Sequence, residues 1–138
     1  MVTRENGKLV LDVFRAIEQR NNAKFRELLD PKFEIHWPPS LPYSGREAPT
    51  WSETWEPLQP TEAERKMDPR VIAESEDEVV VLWQQRGVSP SGEQFVGEVL
   101  GLYRVHDGKL ARAQMFYFDT VAVANFLEKA MKQTERSI

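Results

Sequence analysis

The chain has 138 residues, of which 41% are hydrophobic and 29% charged, a formal net charge of −4 and no cysteine. This length and composition predict one domain, residues 1–138, with its own hydrophobic core. An acidic chain without a basic stripe is not expected to bind nucleic acid, and the lack of cysteine excludes disulfides, thiolate zinc sites and cysteine nucleophiles. No run is long and apolar enough to span a bilayer and no signal peptide is recognisable, so we expect a cytoplasmic protein with no membrane partner.

Two helices are predicted at the start of the chain. Apolar residues at helical spacing indicate an amphipathic helix from the candidate N-cap Asn6 to about Ile17. A second short helix is predicted over residues 23–29. It ends before Pro31, because the residue that precedes a proline avoids helical backbone angles.

A short strand and a proline-rich flap follow. Residues 33–37 alternate in polarity, which predicts a strand with Phe33, Ile35 and Trp37 on one face and Glu34 and His36 on the other. Residues 38–60 contain six prolines and are predicted to be irregular. Within them, a short helix with Pro49 in its first turn would carry Trp51, Trp55 and Leu58 on one face. We expect this flap to cover a cavity.

The rest of the chain predicts an antiparallel meander and a final helix. An edge strand is expected over residues 64–73, interrupted by Asp68-Pro69. Residues 78–119 then hold three β-rich runs, with turn signals at residues 89–92 and at Asp107-Gly108. The run at residues 79–83 is apolar without alternation, so both its faces should meet apolar surface. A helix after Asp119 would bury Val123, Phe126, Leu127, Ala130 and Met131.

The run at residues 95–106 separates into two faces on the two-residue period of a strand. One face is uncharged and contains two glycines, so we expect an inner wall with room left in it: Phe95, Gly97, Val99, Gly101, Tyr103 and Val105. The other face mixes aliphatic and charged residues: Val96, Glu98, Leu100, Leu102, Arg104 and His106. This mixture is typical of an interface, and we expect a homodimer through the outer sheet face.

The register of the last hairpin has two possible forms. A two-residue turn at Asp107-Gly108 would place Arg112, Gln114 and Phe116 on the Tyr103 face. A three-residue loop over residues 106–108 would place Ala113, Met115 and Tyr117 there instead. We favour the second form, because it keeps the Arg112 guanidinium out of an apolar interior.

The order of elements resembles that of the nuclear transport factor 2-like superfamily. Two short patterns add to the resemblance: FEIHWPPSLPYSGREA after two helices, and YRVHDGKL followed by FYFDT before the last helix. The similarity is to its SnoaL-like polyketide cyclase and ketosteroid isomerase-like branch. This resemblance implies an α+β fold of the cystatin-like barrel type, in which a curved mixed sheet wraps around the N-terminal helices. It also implies a pocket at the wide end and a dimer through the convex sheet face.

Only some of the catalytic residues of the family have a counterpart in this chain. The isomerase uses an aspartate base, a tyrosine and a protonated aspartic acid. Trp37, Phe14 and Gly101 stand at the corresponding positions, so steroid isomerisation is not expected. The cyclase branch implies an acid/base role for Asp119, although aspartate before a helix is also a preferred N-cap, and both interpretations stay open.

The remaining candidate site residues are aromatic or polar side chains near the expected cavity. The candidate ligand contacts are Phe14, Trp37, Tyr43, Trp51, Trp55, Trp83, Gln85, Tyr103, Met115 and Tyr117. Large aromatics also dominate burial in any core, so core filling is the alternative for each of them. No cofactor is expected, and no metal, because His36 and His106 are the two histidines and are placed on separate elements.

Three function classes stay open. The residues favour a domain that binds a small apolar molecule in an aromatic-lined pocket. The second class is an acid/base enzyme, polyketide cyclase-like or isomerase-like, that uses Asp119 or His36 with tyrosine hydroxyls. The third is a scaffold that associates through its sheet alone and fills its interior with bulky side chains.

Overall fold

The structure, a computed structural model, describes residues 4–45 and 47–136, without the side chains of residues 4 and 136. Its elements are α1 (Arg4–Glu18), α2 (Asn22–Leu28), β1 (Leu29–His36), α3 (Trp51–Trp55), a 3-10 turn (Glu56–Leu58), α4 (Glu62–Arg65), β2 (Arg70–Glu74), β3 (Glu78–Val88), β4 (Gln94–His106), β5 (Lys109–Tyr117) and α5 (Thr120–Arg136). Within these described ranges, no helix is long and apolar enough to cross a membrane.

The five strands form one curved, unclosed mixed sheet, which confirms the predicted α+β class. The strand order is β1-β5-β4-β3-β2, with β1 parallel to β5 and every other pair antiparallel. The predicted meander from β2 to β5 is therefore confirmed. Burial along β3 alternates between buried and half-buried residues, so its outer face is partly covered rather than enclosed.

The inner face of the sheet packs on α1. Val10, Val13 and Phe14 of the helix share one cluster with the inner-face residues of β3 and β4. A second cluster joins α5 to the flap: Val123, Phe126, Leu127, Ala130, Leu41, Tyr43, Trp55 and Leu58. The flap is thus held between α5 and the concave side of the sheet, because its apolar residues have a partner on each side.

The hairpin between β4 and β5 combines the two predicted forms. Its turn has two residues, Asp107 and Gly108, with φ of 49° and 74°, so the favoured three-residue loop is wrong. The register then shifts between Arg104 and Val105, because β5 contains one extra residue as a bulge. This shift returns the favoured set to the inner face, with Ala113, Met115 and Tyr117 opposite Tyr103, Gly101 and Val99.

The glycines of the inner wall are covered by aromatic rings, so the room that the sequence predicts on this face does not lie directly above them. A Cβ added at Gly101 would lie 2.5 Å from Cε2 of Tyr103, and one at Gly97 would lie 2.9 Å from Cζ of Phe95. Tyr103 follows Gly101 by two positions and Phe95 precedes Gly97 by two positions, so each ring lies on the same strand face as its glycine. Because glycine has no side chain, each ring can approach the backbone closely.

Several local predictions are corrected by longer-range contacts. Asn6 lies inside α1 rather than at its N-cap, and its amide nitrogen donates to the Glu76 carbonyl oxygen at 2.6 Å. The first part of the predicted edge strand is instead α4, because Thr61 and Glu64 form a capping box. Met131 is 56% exposed, since the buried face of α5 ends at Ala130.

The element boundaries near β1 also differ from prediction. The strand begins at Leu29, four residues before the predicted start, and includes Pro31. Proline is tolerated there because β1 is an edge strand with a register shift between Leu29 and Glu34. Pro49 precedes the N-cap of α3, which is Thr50, rather than lying in the first turn.

Candidate ligand-binding site

A cavity of about 530 Å³ lies between α1, the flap and the inner face of the sheet. Its wall includes residues of α1 such as Phe14, flap residues such as Tyr43 and Trp51, and inner-face strand residues such as Trp83 and Tyr103. Small-molecule sites in proteins usually have volumes of about 300–1,000 Å³. The interior is therefore not filled by side chains. A scaffold without a ligand would have required a filled interior.

Seven of the ten candidate ligand contacts line the cavity: Phe14, Trp37, Tyr43, Trp51, Trp83, Tyr103 and Met115. The other three lie behind this first layer. Gln85 and Tyr117 hydrogen-bond to lining residues, and Trp55 is fully buried in the second cluster, where it stacks on Phe126 with ring centroids 5.9 Å apart. Trp51 and Trp55 thus separate, although the sequence places them on one helical face.

The aromatic residues of the wall contact one another. The Trp37 ring meets Tyr43 edge-on at 4.9 Å between centroids, and it lies nearly parallel to Trp51 at 6.4 Å. Trp51 in turn meets Trp83 edge-on at 6.4 Å. Edge-to-face and offset pairs at these distances stabilise a rigid apolar surface. This continuous surface favours a ligand with a flat or ring-shaped apolar body.

Hydrogen bonds fix the flap over the cavity. The Trp51 indole N–H donates to Oε1 of Gln85 at 2.7 Å, and Gln85 is 1% exposed on β3. At the other end of the flap, the Arg20 guanidinium donates to the carbonyl oxygens of Glu56 and Gln59, both at 3.0 Å. Arg20 has a φ of 54° at the end of α1, which directs the chain into α2.

Two tyrosine hydroxyls meet at the edge of the cavity. The hydroxyl oxygens of Tyr43 and Tyr117 are 2.7 Å apart. Burial raises the pKa of Tyr43 to about 12, although the hydrogen bond from Tyr117 and the nearby Trp55 indole lower it in part. Burial, the charge that Tyr43 would carry and the bond to Tyr43 all raise the pKa of Tyr117. At neutral pH both groups are uncharged hydrogen-bond donors rather than bases.

Tyr103 is also buried, but its hydroxyl contacts a sulfur atom rather than a second hydroxyl. Burial raises the pKa of its hydroxyl, and the hydroxyl donates to Sδ of Met115 at 3.7 Å. A thioether sulfur is a weak acceptor, but it gives this proton a partner inside the protein. Tyr103 therefore contributes apolar surface and a neutral hydroxyl that is already occupied.

The two candidate catalytic residues lie away from the cavity wall. Asp119 is exposed, and its Oδ1 accepts from the Ala122 backbone N–H at 3.0 Å, which is the N-cap geometry for α5. His36 is exposed on the outer sheet face, with Nε2 3.4 Å from Oε2 of Glu34. Neither residue is part of the cavity lining.

The charged residues of the described lining are Arg20 and Glu56, which sequence reasoning missed. Arg20 follows a helix and Glu56 lies among prolines, so no local pattern marked them as neighbours. In the part of the chain that the structure describes, no three His, Cys, Asp or Glu side chains are grouped so that they could hold a metal ion.

Comparison with known families agrees with this architecture. Residues 10–113 match the family model described as SnoaL-like domain. The chain therefore belongs to the SnoaL-like family, within the nuclear transport factor 2-like superfamily. A comparison with curated proteins finds no match.

Solved structures of the same fold are similar over most of their length. TerC, co-crystallised with polyporic acid, is 18% identical with a TM-score of 0.71, covering 90% of this chain and 98% of TerC. A candidate SnoaL-like polyketide cyclase from Jannaschia sp. CCS1 is 21% identical, with a TM-score of 0.66 and coverage of 88% and 90%. A protein with a cystatin-like fold from Xanthomonas campestris is 19% identical, with a TM-score of 0.68 and coverage of 87% and 95%. At these identities the comparisons show the fold.

Proposed function

We propose that this protein binds a small, ring-containing apolar molecule in the cavity beneath the flap. The observation that carries the proposal is the cavity itself, about 530 Å³ in volume and walled by aromatic side chains in mutual contact. Apolar surface that leaves water on entering such a site contributes about 25 cal/mol per Å². A ring compound gains most, because its faces and edges match those of the wall.

The polar groups of the wall support an uncharged ligand body. Arg20 is the cation of the described lining, and its guanidinium already donates to two backbone carbonyl oxygens. The hydroxyls of Tyr43 and Tyr103 are neutral, because burial raises the pKa of each. A ligand therefore does not need a charge to find a partner here. TerC, which has the same fold, was crystallised with a small molecule, polyporic acid.

Titration with tetralin, a two-ring hydrocarbon, tests this function by calorimetry. Trp37→Ala removes an indole that contacts both Tyr43 and Trp51, so we expect tetralin affinity to fall by roughly three- to tenfold. Phe118→Ala is the matched control, since Phe118 is 76% exposed outside the cavity lining and should leave affinity unchanged. Unchanged affinity in Trp37→Ala together with a lower Tm would make Trp37 a core residue and contradict the proposal.

A second candidate function is acid/base catalysis on the bound molecule. The observation that favours it is Glu56, the one carboxylate-bearing residue in the described part of the lining. A carboxylate beside a bound ketone can remove a proton from the carbon next to the carbonyl, which leaves an enolate that takes a proton back from solvent. A candidate polyketide cyclase among the structures of this fold supports an enzyme of this general kind.

Deuterium exchange separates catalysis from binding. The protein is incubated with α-tetralone in heavy water, and loss of the proton signal next to the carbonyl is followed by NMR. Exchange above the buffer rate that disappears in Glu56→Gln would assign the base to Glu56. Loss of exchange in Asp119→Asn or His36→Gln, with Glu56→Gln unaffected, would assign it to one of those residues instead. Binding without exchange would leave the protein a binding domain.

We also propose that two copies associate through the outer sheet face. Val96, Leu100 and Phe116 are 60%, 39% and 49% exposed there, and Leu100 pairs directly with Phe116 across β4 and β5. Charges of both signs border these residues, as a surface that meets its own copy requires: Glu78, Arg86, Glu98, Arg104 and Arg112. Sedimentation velocity should show a dimer that Leu100→Glu converts to monomer with unchanged circular dichroism; a monomeric parent protein would refute this assembly.

A further inference from the structure

The two tyrosines at the cavity edge have two hydroxyl protons, of which only one can take part in the hydrogen bond between them. Only one hydroxyl proton can lie between the Tyr43 and Tyr117 oxygens, which are 2.7 Å apart. Within the described chain, neither hydroxyl makes another hydrogen bond to an acceptor. The second proton is therefore left without a protein partner, and an unpaired donor in a buried site is costly.

The surroundings of the pair supply donors rather than acceptors. The Trp51 indole N–H, which donates to Gln85, also lowers the pKa of Tyr117. The Trp55 indole N–H lowers the pKa of Tyr43, yet it reaches hydrogen-bonding geometry with none of the described residues. An indole N–H is a donor only, so neither group can accept the second hydroxyl proton. What this corner of the wall lacks is an acceptor.

The direction of the bond decides which proton is free. Tyr43 lines the cavity and Tyr117 does not. Either hydroxyl can donate in this bond. When Tyr117 donates, the proton left over is that of Tyr43, the residue on the cavity wall. An acceptor on a ligand selects this arrangement, because it gives both hydroxyl protons a partner.

We infer that Tyr43 is a recognition site for an acceptor oxygen, such as a ketone oxygen, that the bound molecule carries on its apolar rings. This inference rests on the proposed binding function and narrows its ligand class. Tyr117 acts as a positioning residue, because its donated proton orients the Tyr43 hydroxyl toward the cavity. A plain hydrocarbon fills the same space but leaves the donor unpaired.

The test compares α-tetralone with tetralin, which share a ring frame and differ by one carbonyl. Calorimetry gives the ketone-to-hydrocarbon affinity ratio in the parent protein and in two variants. In Tyr43→Phe we expect this ratio to fall by roughly three- to tenfold, the usual worth of one neutral hydrogen bond. Tyr103→Phe is the matched control, because it also removes one buried hydroxyl from the wall but one that donates to Met115. There the ratio should stay the same.

Each outcome bears on the inference. An equal ratio in Tyr43→Phe and the parent protein, with both compounds bound, overturns the carbonyl site and leaves the binding function standing. A fall in Tyr103→Phe and not in Tyr43→Phe also overturns it, by moving the donor to Tyr103. If neither compound binds the parent protein, the binding function fails and the inference fails with it. If Tyr43→Phe does not fold, Tyr117→Phe replaces it in the test. Loss of the Tyr117 hydroxyl lets the Tyr43 hydroxyl rotate freely, so the ratio should fall by a smaller factor, and an unchanged ratio would overturn the inference.

Discussion

Gly101→Ala is the sharpest test of how the cavity is built. The new Cβ would lie 2.5 Å from Cε2, 2.6 Å from the hydroxyl oxygen and 2.7 Å from Cζ of Tyr103. Carbon atoms do not approach this closely, so the Tyr103 ring must move. It is 3% exposed and edge-on to Phe14 at 5.9 Å between centroids, which leaves the cavity as the free direction.

The expected cost follows from overpacking. Forcing a buried side chain from its position costs about 1–3 kcal/mol, so the free energy of unfolding should fall by that amount and the urea midpoint by roughly 0.5–1.5 M. The displaced ring also occupies part of the 530 Å³ cavity, so tetralin affinity should fall in parallel. Urea denaturation followed by tryptophan fluorescence measures the first effect, and calorimetry measures the second.

Gly45→Ala is the matched control on the same cavity wall. A Cβ there has its nearest neighbour, Cβ of Ala48, at 3.8 Å, an ordinary contact. We expect a change within about 0.5 kcal/mol. Equal stability of the two variants, or a Gly101→Ala protein that keeps both its stability and its tetralin affinity, would refute the contact between Tyr103 and the backbone.

Three further outcomes follow from single contacts. Asp119→Ala removes the N-cap acceptor of α5 and should lower the free energy of unfolding by about 0.5–2 kcal/mol in urea, with tetralin affinity unchanged; a loss of affinity instead would tie Asp119 to the site. Burial raises the pKa of Tyr43 from 10.0 to about 12, so between these pH values the folded state keeps a proton that the unfolded chain loses. The contribution of Tyr43 to the free energy of unfolding is therefore complete below pH 10 and declines as pH rises to 12. At about 1.4 kcal/mol per pKa unit the decline is about 3 kcal/mol, and Tyr43→Phe should make the urea midpoint less sensitive to pH in this range; an unchanged slope would contradict the burial. Trp51→Phe leaves Oε1 of the buried Gln85 without its donor and should cost about 1–3 kcal/mol, part of which Gln85→Leu in the same chain should restore; no recovery would argue against the bond.

The hairpin between β4 and β5 shows how far local reasoning reaches. The Asp107-Gly108 signal located the turn, and the cost of burying a guanidinium selected the correct inner face. The route to that face was wrong, because a bulge in β5 rather than a longer loop supplies the extra residue. A bulge is stabilised by the neighbouring strands, including β1, and leaves no mark in the hairpin's own sequence.

Aromatic residues show the same division. Their alternation along β4 predicted which face they occupy, and seven of ten candidates line the cavity. Alternation did not predict that the Tyr103 ring would approach Gly101 so closely, because the period of a strand gives the face of a ring and not the direction in which the ring points. Nor did it separate Trp51 from Trp55.

Periodicity and turn residues by themselves determined the two N-terminal helices, the meander, the last helix and the two faces of β4, because each depends on neighbours within a few residues in the chain. The α+β class came from the resemblance to a known superfamily. The cavity, its roof and its polar corner were decided only by the tertiary structure. Tyr43 meets Tyr117 and Trp51 meets Gln85 across separations of 74 and 34 residues, and the volume they enclose is the space that packing leaves unfilled. Such a space is a property of several surfaces brought together, so no single stretch of sequence contains it.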